Sequence, residues 1–210
     1  MPSSKYTFLV GAPGSQWSGI GQLITDNFDY NKSDETPDRI YTHGEFSGHR
    51  GAYFGPGMEE GNDFHKLEYS YVDRHRFERM CDSPFSDKDS AKPKMIKCHQ
   101  FAYGLDWLQE NIPLSNILLI KRDSDISFDW WKRAGGWDIT YPNYQWYVDD
   151  AHMRQFITTE IKLADEFVQK TGNEWAKFDL EWLTENFGTN SIRDIINKDD
   201  VEICLIQTNP

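Results

Sequence analysis

Residues 6–18 read YTFLVGAPGSQWS, a short apolar run from Tyr6 to Val10 that empties into Gly11, Ala12, Pro13, Gly14 and Ser15. Beyond them Ile20, Leu23, Ile24 and Phe28 recur at helical spacing. The order is strand, small-residue loop, helix. In such a loop successive backbone N–H groups can point inward at the positive end of a helix dipole, where a phosphate or sulfate sits. The plainer reading of the same residues is a tight strand-to-helix turn with Ser18 as the helix cap. Laid on GxxxxGK[ST], Gly11 and Ser18 match, but Gln16 stands at the second glycine and Trp17 at the lysine. A magnesium-dependent ATPase or kinase leans on that lysine, so the pattern disfavours one.

Outward from this unit, helix-period and strand-period segments alternate. Asp73 to Met80 can form a short helix, and KMIKC (94–98) is a short strand after Pro93. Leu105, Leu108 and Ile112 give helical spacing until Pro113 stops it. NILLIK (116–121) is continuous and apolar, as in a strand buried on both faces of a parallel sheet. It runs into Arg122 and a polar turn, then an aromatic helix through Trp130 and Trp131 to Gly135 and Gly136. Asp149 to Thr171 is a long amphipathic helix with Phe156, Ile157, Ile161, Ala164, Phe167 and Val168 on its buried side. Trp175 to Phe178 reads as a strand, Leu180 to Phe187 as a helix and VEICLI (201–206) as a last strand. The expectation is an α/β chain: one domain over 1–210, of P-loop-type three-layer form, its mostly parallel sheet flanked by helices. Residues 31–68 are polar, Gly-rich and aromatic without a regular period, which fits a long lid-like loop.

Thirty-four acidic against 22 basic residues leave a net charge of −12, which repels nucleic acid and anionic membranes at long range. Any anion site must then be a local basic pocket. The start, MPSSKYTFLV, carries no signal-peptide pattern, and no apolar run approaches membrane-spanning length, so a cytoplasmic location is expected. Cys81, Cys98 and Cys204 have neither zinc-site spacing nor the density of a disulfide scaffold, so they are expected as buried thiols, with no metal site.

Two further strand ends carry chemistry. Lys97 and His99, two apart on one face at the end of the KMIKC strand, are expected to project into the same crevice as the glycine loop, since ligands in open α/β sheets bind beyond the carboxyl ends of strands. A solvated lysine and a packed histidine are the bland alternatives. Arg122, at the end of NILLIK and beside a helix start with Ser127 on its first turns, suits bidentate capture of a phosphate. Its alternative is a salt bridge to Asp123 or Asp125. Three anion-competent strand ends in succession are harder to dismiss than one.

With those residues in view the chain resembles the sulfotransferase superfamily that uses 3′-phosphoadenosine 5′-phosphosulfate (PAPS), and within it the short sulfotransferase-like proteins of bacteria and their phages. The family's YPKSGT loop, which binds the 5′-phosphosulfate, matches the stretch from Ala12 to Trp17. Its Lys-Thr-His strand end, which supplies a lysine and the catalytic base, matches Lys97, Cys98 and His99. Its strand running into an arginine, with a helix serine gripping the 3′-phosphate, matches ILLIKR ending at Arg122, with Ser127. Gly14 falls where the family has its loop lysine. Ser127 lies one turn before the family's serine, whose place Trp130 takes. The family's C-terminal RKGxxGDWK motif has no clear counterpart.

The resemblance implies transfer of a sulfuryl group from PAPS to a hydroxyl or amine of a small molecule or carbohydrate, leaving 3′-phosphoadenosine 5′-phosphate (PAP). It implies cofactor binding by Pro13, Gly14, Ser15, Gln16, Trp17, Ser18, Arg122 and Ser127, with Lys97 offsetting charge on the leaving oxygen and His99 taking the acceptor's proton. No metal is implied. Because Gly14 removes a cation, Lys97 or another residue such as Lys121 would have to supply it. Two rivals follow: a catalytically inactive PAP- or PAPS-binding module, and a divergent P-loop nucleotide kinase. Aromatic residues in 43–54 and 137–146 could line an acceptor or adenine surface, or pack under long loops.

Overall fold

The computed structural model describes residues 4–41, 50–53, 73–86, 91–139, 144, 147–188 and 200–208. The apolar run that opens the chain forms strand β1 (Tyr6–Gly11), buried along its whole length. The next strands are β2 (Lys94–Lys97), β3 (Asn116–Arg122), β4 (Ala176–Lys177) and β5 (Val201–Gln207). They form one sheet in the order β2-β1-β3-β5-β4. β1 pairs in parallel with β2, Tyr6 against Lys94, and with β3, Thr7 against Asn116.

Period-two alternation sorts the strand side chains into two cores. Phe8, Val10, Ile96, Ile117 and Leu119 face a cluster with Phe77 of α2 (Arg74–Asp82), Leu108 of α3 (Leu105–Asn111) and Phe167. On the opposite face Leu9, Met95, Leu118 and Ile203 meet Trp17, Ile20 and Ile24 of α1 (Trp17–Asn27). The helices α4 (Ser124–Arg133) and α5 (Asp150–Lys170), which carries Phe167, share a third cluster, and α6 (Leu180–Phe187) sits on the α1 side. Asp73, Asp123, Asp149 and Asp179 cap α2, α4, α5 and α6 by accepting first-turn amides, each worth about 1 kcal/mol. Among the described residues no helix is long and apolar enough to cross a membrane.

The α/β class and the flanking helices agree with the sequence, but the sheet is mixed. β5 runs antiparallel to both β3 and β4. An apolar run buries equally well in either direction, so composition leaves strand orientation open, and the path of the connection decides it. The lid-like reading of 31–68 falls largely on residues outside those described. The piece at 50–53 lies along the outer edge of β2, where Tyr53 bridges Lys97 and the Lys97 amide donates to the Ala52 carbonyl at 3.1 Å. All three cysteines are buried free thiols; burial raises each above its ordinary range, Cys204 to about 11.

Asp82, at the end of α2, fastens that helix to the sheet. It accepts from Tyr6 at 2.8 Å and from Lys94 at 2.7 Å, with the Lys5 ammonium 3.3 Å away. Partial burial pushes this carboxyl upward, but the hydrogen bonds and the two ammonium charges outweigh it and hold it below its ordinary 3.8. The stabilisation is therefore complete above that ordinary value and is lost as pH falls through the lower folded one. Since the side chain is 37% exposed, screening limits the pair to under about 1 kcal/mol. Asp82→Asn is expected to cost that much at about pH 7, with the gap between the melting curves of the two proteins narrowing as pH falls below the ordinary carboxylate range. A gap that does not narrow in acid would refute the assignment.

Candidate functional site

Because β2, β1 and β3 are parallel neighbours, their carboxyl ends open on one edge of the sheet. The loop after β1, His99 after β2 and Arg122 at the tip of β3 are thereby brought to the same edge.

The loop turns through two left-handed residues, Gly14 at φ +82° and Gln16 at φ +66°. Such alternation is the backbone geometry in which amides converge on an anion. The Ser15 amide is committed to the Ala12 carbonyl at 3.0 Å, so it is not one of them. Among the described residues the amides of Gly14, Gln16 and Ser18 have no backbone acceptor. Pro13 is buried, as is Ser15, whose Oγ has no hydrogen-bond partner among the described residues. Trp17 faces the α1 core, its ring edge-on to Tyr53 at 5.5 Å and to His99 at 6.3 Å. The reading of Ser18 as helix cap is corrected. Gln16 occupies that position without a side-chain bond, and Ser18 lies inside the first turn, where its backbone is already helical.

Gly14 abuts α4. A Cβ there would fall onto the Ser127 carbonyl and within 2.9 Å of the Trp131 amide nitrogen. The loop and α4 are thus packed backbone to backbone, which only glycine permits. Ala12 joins the same contact through a cluster with Phe128, Trp131 and Tyr147.

β2 ends at Lys97, and His99 opens a 3-10 turn (His99–Gly104) rather than continuing the strand. The expectation that Lys97 and His99 share one face does not hold, because strand alternation stops between them. His99 is 4% exposed; its Nδ1 lies 2.8 Å from Oε1 of Glu160 on α5, which is 2% exposed. Tyr144 and Tyr147 tilt against the imidazole at 5.8 and 6.1 Å. Lys97 turns to the 50–53 segment: its ammonium donates to the Arg50 carbonyl at 2.5 Å and lies 5.5 Å from the centre of the Tyr53 ring. Burial lowers the Lys97 pKa, opposed by the charges of Asp34 and Glu35. Burial raises that of Asp34, although Lys97 and the Ala52 amide, at 2.6 Å, favour its ionised form. Lys97 is thus one aromatic ring removed from Trp17, with its ammonium engaged in holding 50–53.

Arg122, 5% exposed, places Nε 2.6 Å from Oδ2 of Asp200; Nη2 meets the same oxygen, and Nη1 has no hydrogen-bond partner among the described residues. The guanidinium lies 5.1 Å from the centre of the Trp130 ring. The suggested alternative partners are otherwise engaged, Asp123 capping α4 and Asp125 bonded to Arg154 at 2.8 Å. Ser127 is fully buried, and its Oγ donates to the Arg122 carbonyl at 3.5 Å. A cleft of about 570 Å3 opens beside the β3 tip, lined among others by Lys121, Arg122, Ser124, Thr158 and Lys162. Lys121 is paired there with Asp165 at 2.9 Å and Glu202 at 3.2 Å.

Compared with known proteins, the chain matches no family model, no curated protein and no solved structure. Its chemistry is legible only from the strand-end geometry. Two residues of that geometry escaped the sequence reading, Glu160 and Asp200. Glu160 had a signal: it sits at helical spacing between Ile157 and Ala164, a carboxylate on the buried stripe of α5. Asp200 had none, because its partner is 78 positions away.

Proposed function

We propose that the protein is a PAPS-dependent sulfotransferase with a P-loop-type anion-binding turn. The observation that carries this reading is the neighbouring order β2-β1-β3, which collects a left-handed glycine loop, a buried histidine and an arginine at one edge of an acidic molecule. The free amides of Gly14, Gln16 and Ser18 would hold the 5′-phosphate and sulfate, and the unpartnered Nη1 of Arg122 would meet the 3′-phosphate. PAPS supplies the sulfuryl group. Ser127 supports the β3 tip rather than reaching solvent. His99 would take the proton of the acceptor hydroxyl or amine. Sulfuryl transfer is loose and in line, so positioning and fixed dipoles supply most of its acceleration, and no metal is called for.

One specific observation favours a second reading, a PAP- or PAPS-binding module without transfer. Gly14 has no cation to offer, and the Lys97 ammonium is engaged with the Arg50 carbonyl. Binding comes first in the test: PAP and PAPS should raise the melting temperature, and ATP and GTP should not. Labelled sulfate on any member of a panel of hydroxyl and amine acceptors then selects the enzyme. Binding without transfer selects the module. Failure of both nucleotides to bind refutes both, and magnesium-dependent ATP turnover would return the kinase.

Arg122 gives a sharper check, since Asp200 competes with any phosphate for its fork. Arg122→Ala is expected to weaken PAP binding by roughly 10- to 150-fold, the range for a lost charge-assisted contact. Asp200→Asn should strengthen it, because a negative charge beside the phosphate is removed and the whole guanidinium charge is left to it. Calorimetry that finds both affinities unchanged removes Arg122 from the site.

A further inference from the structure

We infer that Glu160 is a positioning residue: it holds His99 in the tautomer with the proton on Nδ1, so that Nε2 is the nitrogen that works. This rests on the transferase reading for its role in turnover, but the tautomer itself does not. The geometry is a buried pair. Oε1 of Glu160 lies 2.8 Å from Nδ1, and both side chains are more than nine-tenths buried. Glu160 belongs to α5 and His99 to the turn after β2, 61 positions away, so the contact is made by packing and not by local geometry.

A carboxylate is an acceptor only, so the nitrogen facing it must carry hydrogen. A neutral imidazole has one N–H, and committing it to Nδ1 leaves Nε2 with a lone pair. The titratable groups that Glu160 acts on are Tyr103, Tyr144, Tyr147 and Cys98; burial raises all four, and the Glu160 charge raises them further, so they remain neutral donors. Among the described residues Oε2 of Glu160 has no hydrogen-bond partner, and the contact with His99 is the hydrogen bond found for its side chain. An ionised carboxylate so placed also stabilises the imidazolium that forms when Nε2 accepts a proton, as the acid of a hydrolase triad does. In the transfer step the acceptor oxygen or nitrogen forms its bond to sulfur and its proton passes to Nε2. The bond from sulfur to the bridging oxygen breaks, and its electron pair leaves with PAP.

The test is nitrogen-15 NMR of the histidine rings in the whole protein, at a pH where His99 is neutral, with assignment by His99→Asn. In the native protein the His99 signals should report Nδ1 protonated and Nε2 bare. Glu160→Leu should shift them toward the Nε2–H form. A native spectrum with Nε2 protonated, meaning a neutral Glu160 that donates to Nδ1, overturns the inference. So does a pattern that Glu160→Leu leaves unchanged. Should Glu160→Leu not fold, the native spectrum alone still decides. In the transfer assay, Glu160→Leu should lower kcat by roughly 10- to 100-fold with the KM for PAPS within about twofold. A loss confined to KM would overturn the positioning role. A native protein that transfers no sulfate, yet shows the Nδ1–H form, sinks the transferase reading and leaves the tautomer standing.

Discussion

If the protein transfers sulfate as proposed, His99→Ala is expected to lower turnover by about 10²- to 10⁴-fold and to leave the affinity for PAP near its native value. The range is that of general-base assistance from a positioned side chain. The ring is surrounded by Trp17, Tyr144 and Tyr147, so alanine also leaves a cavity among aromatics, and a fall in activity could in principle reflect loosened packing. His99→Asn separates the two. Its amide can still donate to Glu160, but it has no basic nitrogen. It should therefore melt closer to the native protein than His99→Ala does and yet be as slow. Turnover restored in His99→Asn, or an equal loss of PAP affinity in both variants, would remove His99 from the proton transfer.

The second large effect lies across the loop. Gly14→Ala should destabilise the protein by roughly 3 kcal/mol, or about 6–12 °C in melting temperature for a chain of this length. Two penalties combine: alanine at φ +82° is strained, and its methyl group would overlap the Ser127 carbonyl on α4. Neither atom is the end of a flexible side chain, so relief requires the loop or the helix to move. Gly14→Lys inserts the lysine that the resembled family carries at this point, but begins with the same Cβ. It should be no more stable than Gly14→Ala and should not gain transfer activity. A melting temperature within about 2 °C of native for Gly14→Ala would mean that loop and helix are not packed as described.

That contact recasts the most conspicuous departure from the family pattern. Taken in sequence, Gly14 is a missing cation. In the structure it is the condition for α4 to rest its backbone on the loop. Local signals served well where neighbours in the chain decide the outcome. The apolar run at 6–10 became β1, NILLIK became β3, and α5 runs from its cap Asp149 to its cap Thr171, the bounds of its amphipathic pattern. They failed where distant segments decide. The left-handed Gln16 displaced the helix start from Ser18, β5 inserted against the direction of its neighbours, and the buried contacts of His99 and Arg122 drew partners from α5 and the approach to β5.

The insertion of β5 between β3 and β4 has a consequence for biosynthesis. Asn116 pairs with Gln207, so a newly translated β3 waits for about 90 further residues before its outer edge is covered. During that interval the ribosome-bound chain presents an apolar ribbon with unpaired amides and carbonyls, a template on which other nascent copies can dock. Chaperone dependence and inclusion-body formation should therefore track the speed at which the last part of the message is read, more than any property of the finished fold.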